Sequence, residues 1–234
     1  MISLLNILNE GVYDPGIFKA VFTAGGPGSG KSHTASALFG MPAKMPFVSA
    51  KGLKSVNSDK YFETYLNMKG ISQDIASLNP DEFKQAMELR GKSKKVRDAA
   101  LKNYINGRLG ILIDGTGKDY PKISKQKSQL EKVGYDCFMI FVNTDLDVAL
   151  ERNKARERVL TTDLVKTAWQ SVQNNLGKFQ GLFGSSNILV VDNSEYGDFD
   201  TVVKKAANEF INRPIQNHIA KNWIKKELEL RKSK

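Results

Sequence analysis

The residues most suited to chemistry lie in the short loop TAGGPGSGKS, which spans 23–32. Gly25, Gly30, Lys31 and Ser32 match the pattern G-x-x-x-x-G-K-[ST] without a gap. Glycines in such a loop let the backbone wrap around a phosphate chain, so that several N–H groups point inward. An apolar run precedes the loop and a helical pattern follows it, as a phosphate-binding loop requires. The pattern therefore predicts a loop that holds the phosphates of a nucleoside triphosphate.

Each residue of this loop has a predicted part in binding ATP and Mg²⁺. Lys31 would reach the β- and γ-phosphates and act in catalysis, and Ser32 would ligate the metal ion. For His33, on the helix behind the loop, we expect a packing or surface position rather than a catalytic one. The alternative is a glycine-rich turn that merely exposes its lysine. The predicted nucleotide-binding set is Gly25, Gly26, Pro27, Gly28, Ser29, Gly30, Lys31, Ser32 and His33.

Asp59 is a candidate catalytic base, because it follows the second predicted strand in the stretch VNSDKYF. In a sheet that carries such a loop, this position faces the γ-phosphate. A carboxylate is ionised at neutral pH, so it can accept or orient the proton of an attacking hydroxyl. Phosphoryl transfer has a loose transition state, in which positioning matters more than base strength. The alternative is a helix N-cap, a frequent role for an Asp between a strand and a helix.

The third predicted strand also ends in an acid, in the stretch LGILIDGTG. Hydrophobic residues followed by Asp114 have the Walker B form, so Asp114 is predicted to hold Mg²⁺ through water or to contact the acceptor. Gly115 and Gly117 leave room for a ligand around Thr116, which is a candidate acceptor-binding residue. The alternative is an ordinary strand-ending turn.

A run of arginines late in the chain has the composition of a lid. Arg152 and Arg156 lie four positions apart on one helical face, and Arg158 follows them. Kinases need mobile cations that neutralise charge as the γ-phosphoryl group moves. Arg152 and Arg156 are therefore predicted to be catalytic, within a lid at about 150–160. The alternative is a solvated helix whose arginines pair with its own glutamates.

The elements that must position these residues are predicted as alternating strands and helices around a parallel sheet. Each predicted strand ends in small or polar residues, and ligands of open α/β sheets bind at such carboxyl ends. Helices are predicted after the loop, from a capping box at Asn79, around 162–176 with Trp169 in its buried stripe, and from Pro214 onward. The predicted strands span 18–24, 53–57, 109–113, 137–142 and 188–191.

Composition limits the class of protein. The chain has 234 residues, which suits one α/β domain with additions. A single cysteine and two histidines exclude a disulfide framework and a zinc site of Cys and His ligands. The N-terminal stretch has no basic region and no run reaches membrane-spanning length, so we expect a cytoplasmic protein without membrane contact. The formal charge of +10 favours an anionic partner.

Four stretches together resemble P-loop kinases of the polynucleotide kinase and zeta-toxin group, over about residues 18–195. They are GGPGSGKS, VNSDKYF, LIDGTG and the later RNKAR. The resemblance implies an α/β fold, a three-layer αβα sandwich with a five-stranded parallel sheet in the order 2-3-1-4-5, followed by C-terminal helices. It also implies that Lys31 and Ser32 hold ATP·Mg²⁺, that Asp59 is the base and that Arg156 is the lid arginine. If the chain is encoded by a phage, like some members of the group, its place is the host cytoplasm.

The acceptor hydroxyl stays open. Members of the group often carry D-x-x-R after the second strand, with the arginine on the substrate phosphate, whereas Phe62 stands at that position here. A basic insertion beyond Asp59 favours an anionic acceptor, a nucleic acid or nucleotide, with Lys95 and Arg97 as candidate contacts; two solvated helix faces are the alternative. Asn193, after the fifth strand, is a candidate adenine contact. The insertion contains Arg90, Lys92, Lys94, Lys95, Arg97, Lys102 and Arg108.

We expect a kinase domain over 17–200, an amphipathic segment over 1–16 and a basic helical extension over 201–234. The expected reaction transfers the γ-phosphoryl group of ATP to a hydroxyl of a nucleic acid, at its 5′ end or a modified base, or of a nucleotide. The alternatives are a zeta-type kinase of a nucleotide sugar or other small molecule, and an ATP-gated nucleic-acid-binding module without chemistry. Phe179 and Phe183 are expected in a mobile flap or as a small apolar anchor.

Overall fold

The computed structural model describes residues 11–42, 47–155, 159–195, 199 and 201–232. Two predictions lie outside these residues. They are residues 1–10 of the predicted amphipathic segment, and the lid arginine Arg156 with its neighbour Arg158.

Five parallel strands form one sheet, as predicted. The strands are β1 (Lys19–Ala24), β2 (Lys54–Val56), β3 (Ile111–Asp114), β4 (Asp136–Asn143) and β5 (Ile188–Asp192). Their spatial order is β2-β3-β1-β4-β5, which confirms the predicted 2-3-1-4-5 arrangement. Strand β3 starts later than predicted and includes Asp114, so the register of β1 and β3 sets Thr23 directly beside that acid.

Helices flank the sheet, and the described part of the chain contains nine α-helices. They are α1 (Lys31–Phe39), α2 (Ser58–Lys69), α3 (Pro80–Asn106), α4 (Tyr120–Lys132), α5 (Leu146–Lys154), α6 (Thr162–Gln173), α7 (Leu176–Phe183), α8 (Thr201–Asn212) and α9 (His218–Lys232). A capping box between Asn79 and Glu82 starts α3, as predicted. Because α3 continues for 27 residues, most of the basic insertion lies on one helix. No helix in these ranges is long and apolar enough to cross a membrane.

Two apolar layers cover the sheet, one on each face. Successive side chains of a strand point to opposite faces, so Phe22 packs into one layer and Val21 into the other. The first layer includes residues of α4, α6, α7 and α9, and the second includes residues of α1 and α8. Within the predicted C-terminal extension, α8 buries Phe210 and α9 sets the ring of Trp223 at 5.5 Å from that of Phe18. Both helices of the extension therefore pack on the sheet.

The structure decides the predictions made for three aromatic residues of α6 and α7. Phe179 and Phe183 lie in α7 and are buried, and the ring of Phe183 is 5.5 Å from that of Phe22. The apolar anchor is thus confirmed, and the mobile flap is wrong. Trp169 is only half-buried, because the buried stripe of α6 consists of Val165 and Val172.

Candidate active site

One cleft opens at the carboxyl ends of β1, β2 and β3. Its walls come from the phosphate-binding loop, α1, α2, α3 and the tip of β3, and its volume is about 670 Å³. Pockets for small molecules and cofactors commonly enclose about 300–1,000 Å³. The polar residues that line the cleft include Lys31, Ser32, Asn57, Asp59, Lys60, Glu63, Arg90, Arg97, Asp114 and Thr116.

The phosphate-binding loop leads directly from β1 into the N-terminus of α1. Gly30 precedes α1 in the left-handed conformation, with φ 84°, and no side chain of the described residues caps the helix. The first backbone N–H groups of a helix have no intrahelical partner and attract anions. The start of α1 therefore offers N–H donors for a phosphate group.

Packing behind the loop requires two of its glycines. A β-carbon on Gly28, which has φ 78°, would lie 2.2 Å from the carbonyl oxygen of Ala149 in α5. A β-carbon on Gly30 would lie 2.1 Å from the side-chain nitrogen of Asn193. Real β-carbons do not approach other atoms this closely, and positive φ adds strain for any residue with a side chain. Glycine is therefore needed at these two positions for packing against α5 and Asn193, as well as for wrapping the backbone around a phosphate chain.

The polar side chains of Lys31 and Ser29 differ in their hydrogen bonds to the described residues. The ammonium group of Lys31 donates hydrogen bonds to the carbonyl oxygens of Gly25 at 2.8 Å and Gly26 at 3.1 Å. The hydroxyl oxygen of Ser29 is buried and has no hydrogen-bond partner there. Buried polar atoms nearly always have a hydrogen-bond partner. The Ser29 hydroxyl and the N–H groups at the start of α1 therefore fit a loop that holds the phosphates of a triphosphate.

Side chains from the β4 and β5 side brace the loop from behind. Asn193 Nδ2 donates to the carbonyl oxygen of Ser29 at 2.7 Å, and Thr144 Oγ1 donates to the same oxygen at 3.1 Å. Arg152 Nη1 donates to the carbonyl oxygen of Asn193 at 2.6 Å, and Trp169 Nε1 to that of Thr144 at 2.7 Å. Sequence reasoning missed this brace. The adenine contact of Asn193 and the catalytic part of Arg152 stay predictions.

Asp114 is fixed by two neighbours at the floor of the cleft. Thr23 Oγ1 donates to Asp114 Oδ1 at 2.8 Å, and Asn57 Nδ2 donates to Asp114 Oδ2 at 2.6 Å. A carboxylate and the hydroxyl of Ser32 are oxygen ligands of the kind that Mg²⁺ takes alongside water and phosphate oxygens. The described residues contain no cluster of three or more His, Cys, Asp or Glu side chains for a metal ion. The chemistry of Asp114 and Ser32 therefore fits Mg²⁺.

The tip of β3 is joined to the phosphate-binding loop. The backbone N–H of Gly25 donates to the carbonyl oxygen of Thr116 at 3.0 Å. Gly117 has φ 82°, and a β-carbon there would lie 2.7 Å from that of Ala24. This close packing holds Thr116 at the cleft, where the sequence predicted an acceptor contact.

Asp59 lies in the first turn of α2 and lines the cleft. Its neighbour Asn57 is the N-cap, since Asn57 Oδ1 accepts the backbone N–H of Asp59 at 2.7 Å. The N-cap alternative for Asp59 is therefore wrong. The Asp59 carboxylate instead forms an ion pair with Arg90, with 3.2 Å between Oδ1 and Nη1.

Basic side chains form one wall of the cleft. Arg90 and Arg97 of α3 line it, as does Lys60, which sequence reasoning missed because its position beside Asp59 gives no signal of its own. Burial lowers the pKa of Lys60, and the carboxylate of Asp114 opposes this shift. In this wall, Arg90 lies beside Asp59, and Lys60 lies close enough to Asp114 to interact with its charge.

Two predicted site residues lie away from the cleft. The exposed His33 sets its ring 5.4 Å from that of Phe199, which confirms a packing and surface position. Lys95 is exposed on α3 and is not among the residues that line the cleft.

A phosphate-binding loop between β1 and α1, in a parallel sheet of order 2-3-1-4-5 with acids at β2 and β3, defines a P-loop kinase. The zeta toxin family model matches residues 14–207, and the chain belongs to this family. No curated protein sequence matches the chain significantly.

Solved structures are similar to this chain at low sequence identity. A chain of the AvrRxo1-ORF1:AvrRxo1-ORF2 complex, solved with sulphate ions and with ATP, is 14% identical, with a TM-score of 0.55 over 76% of this chain. The match covers 55% of that chain, so this protein spans about half its length. A chain of the PezAT toxin-antitoxin system of Streptococcus pneumoniae is 12% identical over 90% of this chain and 86% of that one, with a TM-score of 0.49. At these identities the AvrRxo1 match shows the fold alone.

Proposed function

We propose that this kinase transfers the γ-phosphoryl group of ATP to a hydroxyl group of a nucleotide or nucleic acid. The observation that carries the proposal is that donor and acceptor groups line the same cleft. Lys31 and Ser32 belong to the phosphate-binding loop and the start of α1, and they line the same cleft as Asp59 and the α3 arginines Arg90 and Arg97. A γ-phosphate at the start of α1 and a hydroxyl beside Asp59 would therefore lie in the same cleft.

On the donor side, the loop would hold the triphosphate of ATP. Lys31 would exchange the carbonyl oxygens of Gly25 and Gly26 for phosphate oxygens, which requires movement of one flexible side chain only. Ser32 and Asp114 would hold Mg²⁺, which would supply positive charge against the negative charge that develops on the phosphate oxygens. The brace behind the loop would keep its N–H groups aimed at the phosphates during transfer.

On the acceptor side, Asp59 would orient the hydroxyl and take its proton. The hydroxyl oxygen attacks the γ-phosphorus, a new oxygen–phosphorus bond forms, and the bond to the β–γ bridging oxygen breaks. The proton passes to the Asp59 carboxylate, and ADP leaves. General-base catalysis of this kind contributes about 10²- to 10⁴-fold.

Membership of the zeta toxin family supports a second candidate, a kinase of a nucleotide sugar. Both candidates share the donor half of the site and the base, and they differ only in the molecule that carries the hydroxyl. A nucleotide sugar is also an anion, so the charge of the wall does not separate it from a nucleic acid.

The test is a transfer screen with γ-labelled ATP and Mg²⁺. The acceptors are 5′-hydroxyl DNA and RNA, DNA with hydroxymethylated bases, nucleosides, mononucleotides and nucleotide sugars. Label should appear in one acceptor class and be lost in Lys31→Ala and Asp59→Asn, but not in Asp163→Asn, a control at an exposed position of α6. Absence of label from every acceptor would contradict the proposal, and full transfer by Asp59→Asn would remove Asp59 as the base.

A further inference from the structure

An arginine of α3 lies on the ring of a buried phenylalanine of α2 at the edge of the cleft. Phe62 is 1% exposed and packs with Leu66, Ile71 and Ala86 between the two helices. The guanidinium carbon of Arg90 is 5.0 Å from the centre of the Phe62 ring. A guanidinium over an aromatic face is attracted by the ring quadrupole, so Phe62 gives Arg90 a fixed platform although it offers no hydrogen bond itself.

The same guanidinium reaches the candidate base. Arg90 Nη1 is 3.2 Å from Asp59 Oδ1, and about a third of the Arg90 side chain is exposed (33%). A guanidinium carries five N–H donors in a planar fork. Contact with one carboxylate oxygen therefore leaves part of this fork directed at the cleft, beside the place where the acceptor hydroxyl must lie.

A second arginine continues the same wall. Arg97 lies seven positions after Arg90, which is about two turns or roughly 10 Å along one face of α3. Both arginines line the cleft, whereas the exposed lysines of α3 around them, Lys92, Lys94 and Lys95, do not. The helical register of α3 therefore places the two arginines at the cleft, whereas the three lysines of the same insertion do not line it.

We propose that Arg90, seated on Phe62, binds a phosphate group of the acceptor and so determines that the acceptor is a phosphate ester. This inference rests on the proposed kinase function. A phosphate or phosphodiester can take two parallel N–H bonds from the part of the guanidinium fork that does not contact Asp59. Arg90 would thereby hold the acceptor phosphate beside Asp59, where the carboxylate meets the hydroxyl.

The test is a binding measurement that needs no transfer. Uridine 3′-monophosphate, uridine and a short 5′-hydroxyl oligodeoxynucleotide are titrated calorimetrically into protein saturated with Mg²⁺ and a non-hydrolysable ATP analogue. Arg90→Gln should weaken binding of a phosphate-bearing probe about 10- to 100-fold and change uridine binding by less than about twofold. Arg90→Lys should fall between, because it keeps the charge and loses the fork.

Two further variants make the test specific. Lys84→Gln, an exposed charge change on the same helix outside the cleft, should bind every probe as the wild type does. Phe62→Leu should weaken phosphate binding about two- to fivefold, because it removes the ring but keeps an apolar side chain. Dependence on Arg90 with the mononucleotide indicates a small phosphorylated acceptor, and dependence with the oligonucleotide alone indicates a phosphodiester of a strand.

Several results would overturn the inference. They are wild-type affinities for both phosphate-bearing probes that are no higher than the affinity for uridine, an equal loss of phosphate-bearing probes and uridine in Arg90→Gln, or no difference between Arg90→Gln and Lys84→Gln with any probe. Binding of Phe62→Leu at wild-type strength would remove Phe62 as the platform. Arg90-dependent binding without transfer to any acceptor would instead contradict the kinase proposal alone, so the two failures are distinguishable.

Discussion

A single methyl group at Gly28 should distort the phosphate-binding loop. Gly28 has φ 78°, and its new β-carbon would lie 2.2 Å from the carbonyl oxygen of Ala149 and 2.9 Å from the carbonyl carbon. The left-handed conformation costs a non-glycine residue about 1–2 kcal/mol. The collision is with backbone of α5, which no rotamer change relieves, and overpacking of this kind costs about 1–3 kcal/mol. Gly28→Ala should therefore lower the free energy of unfolding by about 2–5 kcal/mol.

Two other glycines supply matched controls. Gly70 follows α2 with φ 66°, and a β-carbon there would meet nothing within 4 Å among the described residues, so Gly70→Ala should cost only the conformational part, about 1–2 kcal/mol. Gly91 lies inside α3 with open space around it, so Gly91→Ala should stabilise the protein by about 0.5–1 kcal/mol. Gly70→Ala thus measures backbone strain alone, Gly28→Ala measures strain together with the collision, and Gly91→Ala measures helix propensity.

The assay is thermal unfolding with and without ATP and Mg²⁺. For a chain of this size, 1 kcal/mol shifts the Tm by about 2–4 °C, so Gly28→Ala should unfold roughly 4–20 °C below the wild type. It should also lose the rise in Tm that bound nucleotide gives the wild type, whereas Gly70→Ala should keep it. Equal Tm losses for Gly28→Ala and Gly70→Ala would refute the conclusion that α5 closes the outer side of the loop.

Three more predictions concern the brace, the buried thiol and the base of the sheet. Asn193→Ala removes the donor to the Ser29 carbonyl and should cost about 1–3 kcal/mol and weaken nucleotide binding, measured by titration with a fluorescent ATP analogue. Burial raises the pKa of the Cys137 thiol, so alkylating reagents should modify this thiol only at the rate of unfolding. The thiol ionises near pH 9.0 in the unfolded chain but not in the folded protein, so the free energy of unfolding should fall above that pH, and it should fall less in Cys137→Ala than in the wild type. Lys19→Met removes a buried ammonium that donates to the Arg213 carbonyl at 2.8 Å and pairs with Asp136 at 3.4 Å. Because Asp136 accepts the backbone N–H of Asn217 just before α9, the variant should cost about 3 kcal/mol and speed amide exchange in α9.

The local parts of the fold could be predicted from sequence, because each depends on a short pattern. The apolar runs predicted all five strands, and the capping box at Asn79 predicted the start of α3 correctly. The loop motif likewise placed Lys31 and Ser32 in the cleft. The strand order came from the resemblance to a family and not from the pattern itself.

The contacts that complete the site could not be predicted, because they join distant parts of the chain. Asn193 and Ser29 are 164 positions apart, and nothing in either stretch indicates that their groups meet. Arg90 reaches Asp59 only because the register of a 27-residue helix turns it toward the cleft. Trp169 was misplaced because helical spacing indicates a face but not the degree of burial, and an indole N–H needs an acceptor at the edge of a core.

The measurement that tests the central claim most directly compares nucleotide binding with phosphoryl transfer in Asp59→Asn. The base assignment predicts ATP affinity within about twofold of the wild type, because Asp59 stands on the acceptor side, and transfer slower by about 10²- to 10⁴-fold. The measurement is single-turnover transfer from γ-labelled ATP to the acceptor that the screen identifies. Wild-type rates of transfer in Asp59→Asn, with ATP bound normally, would contradict the account.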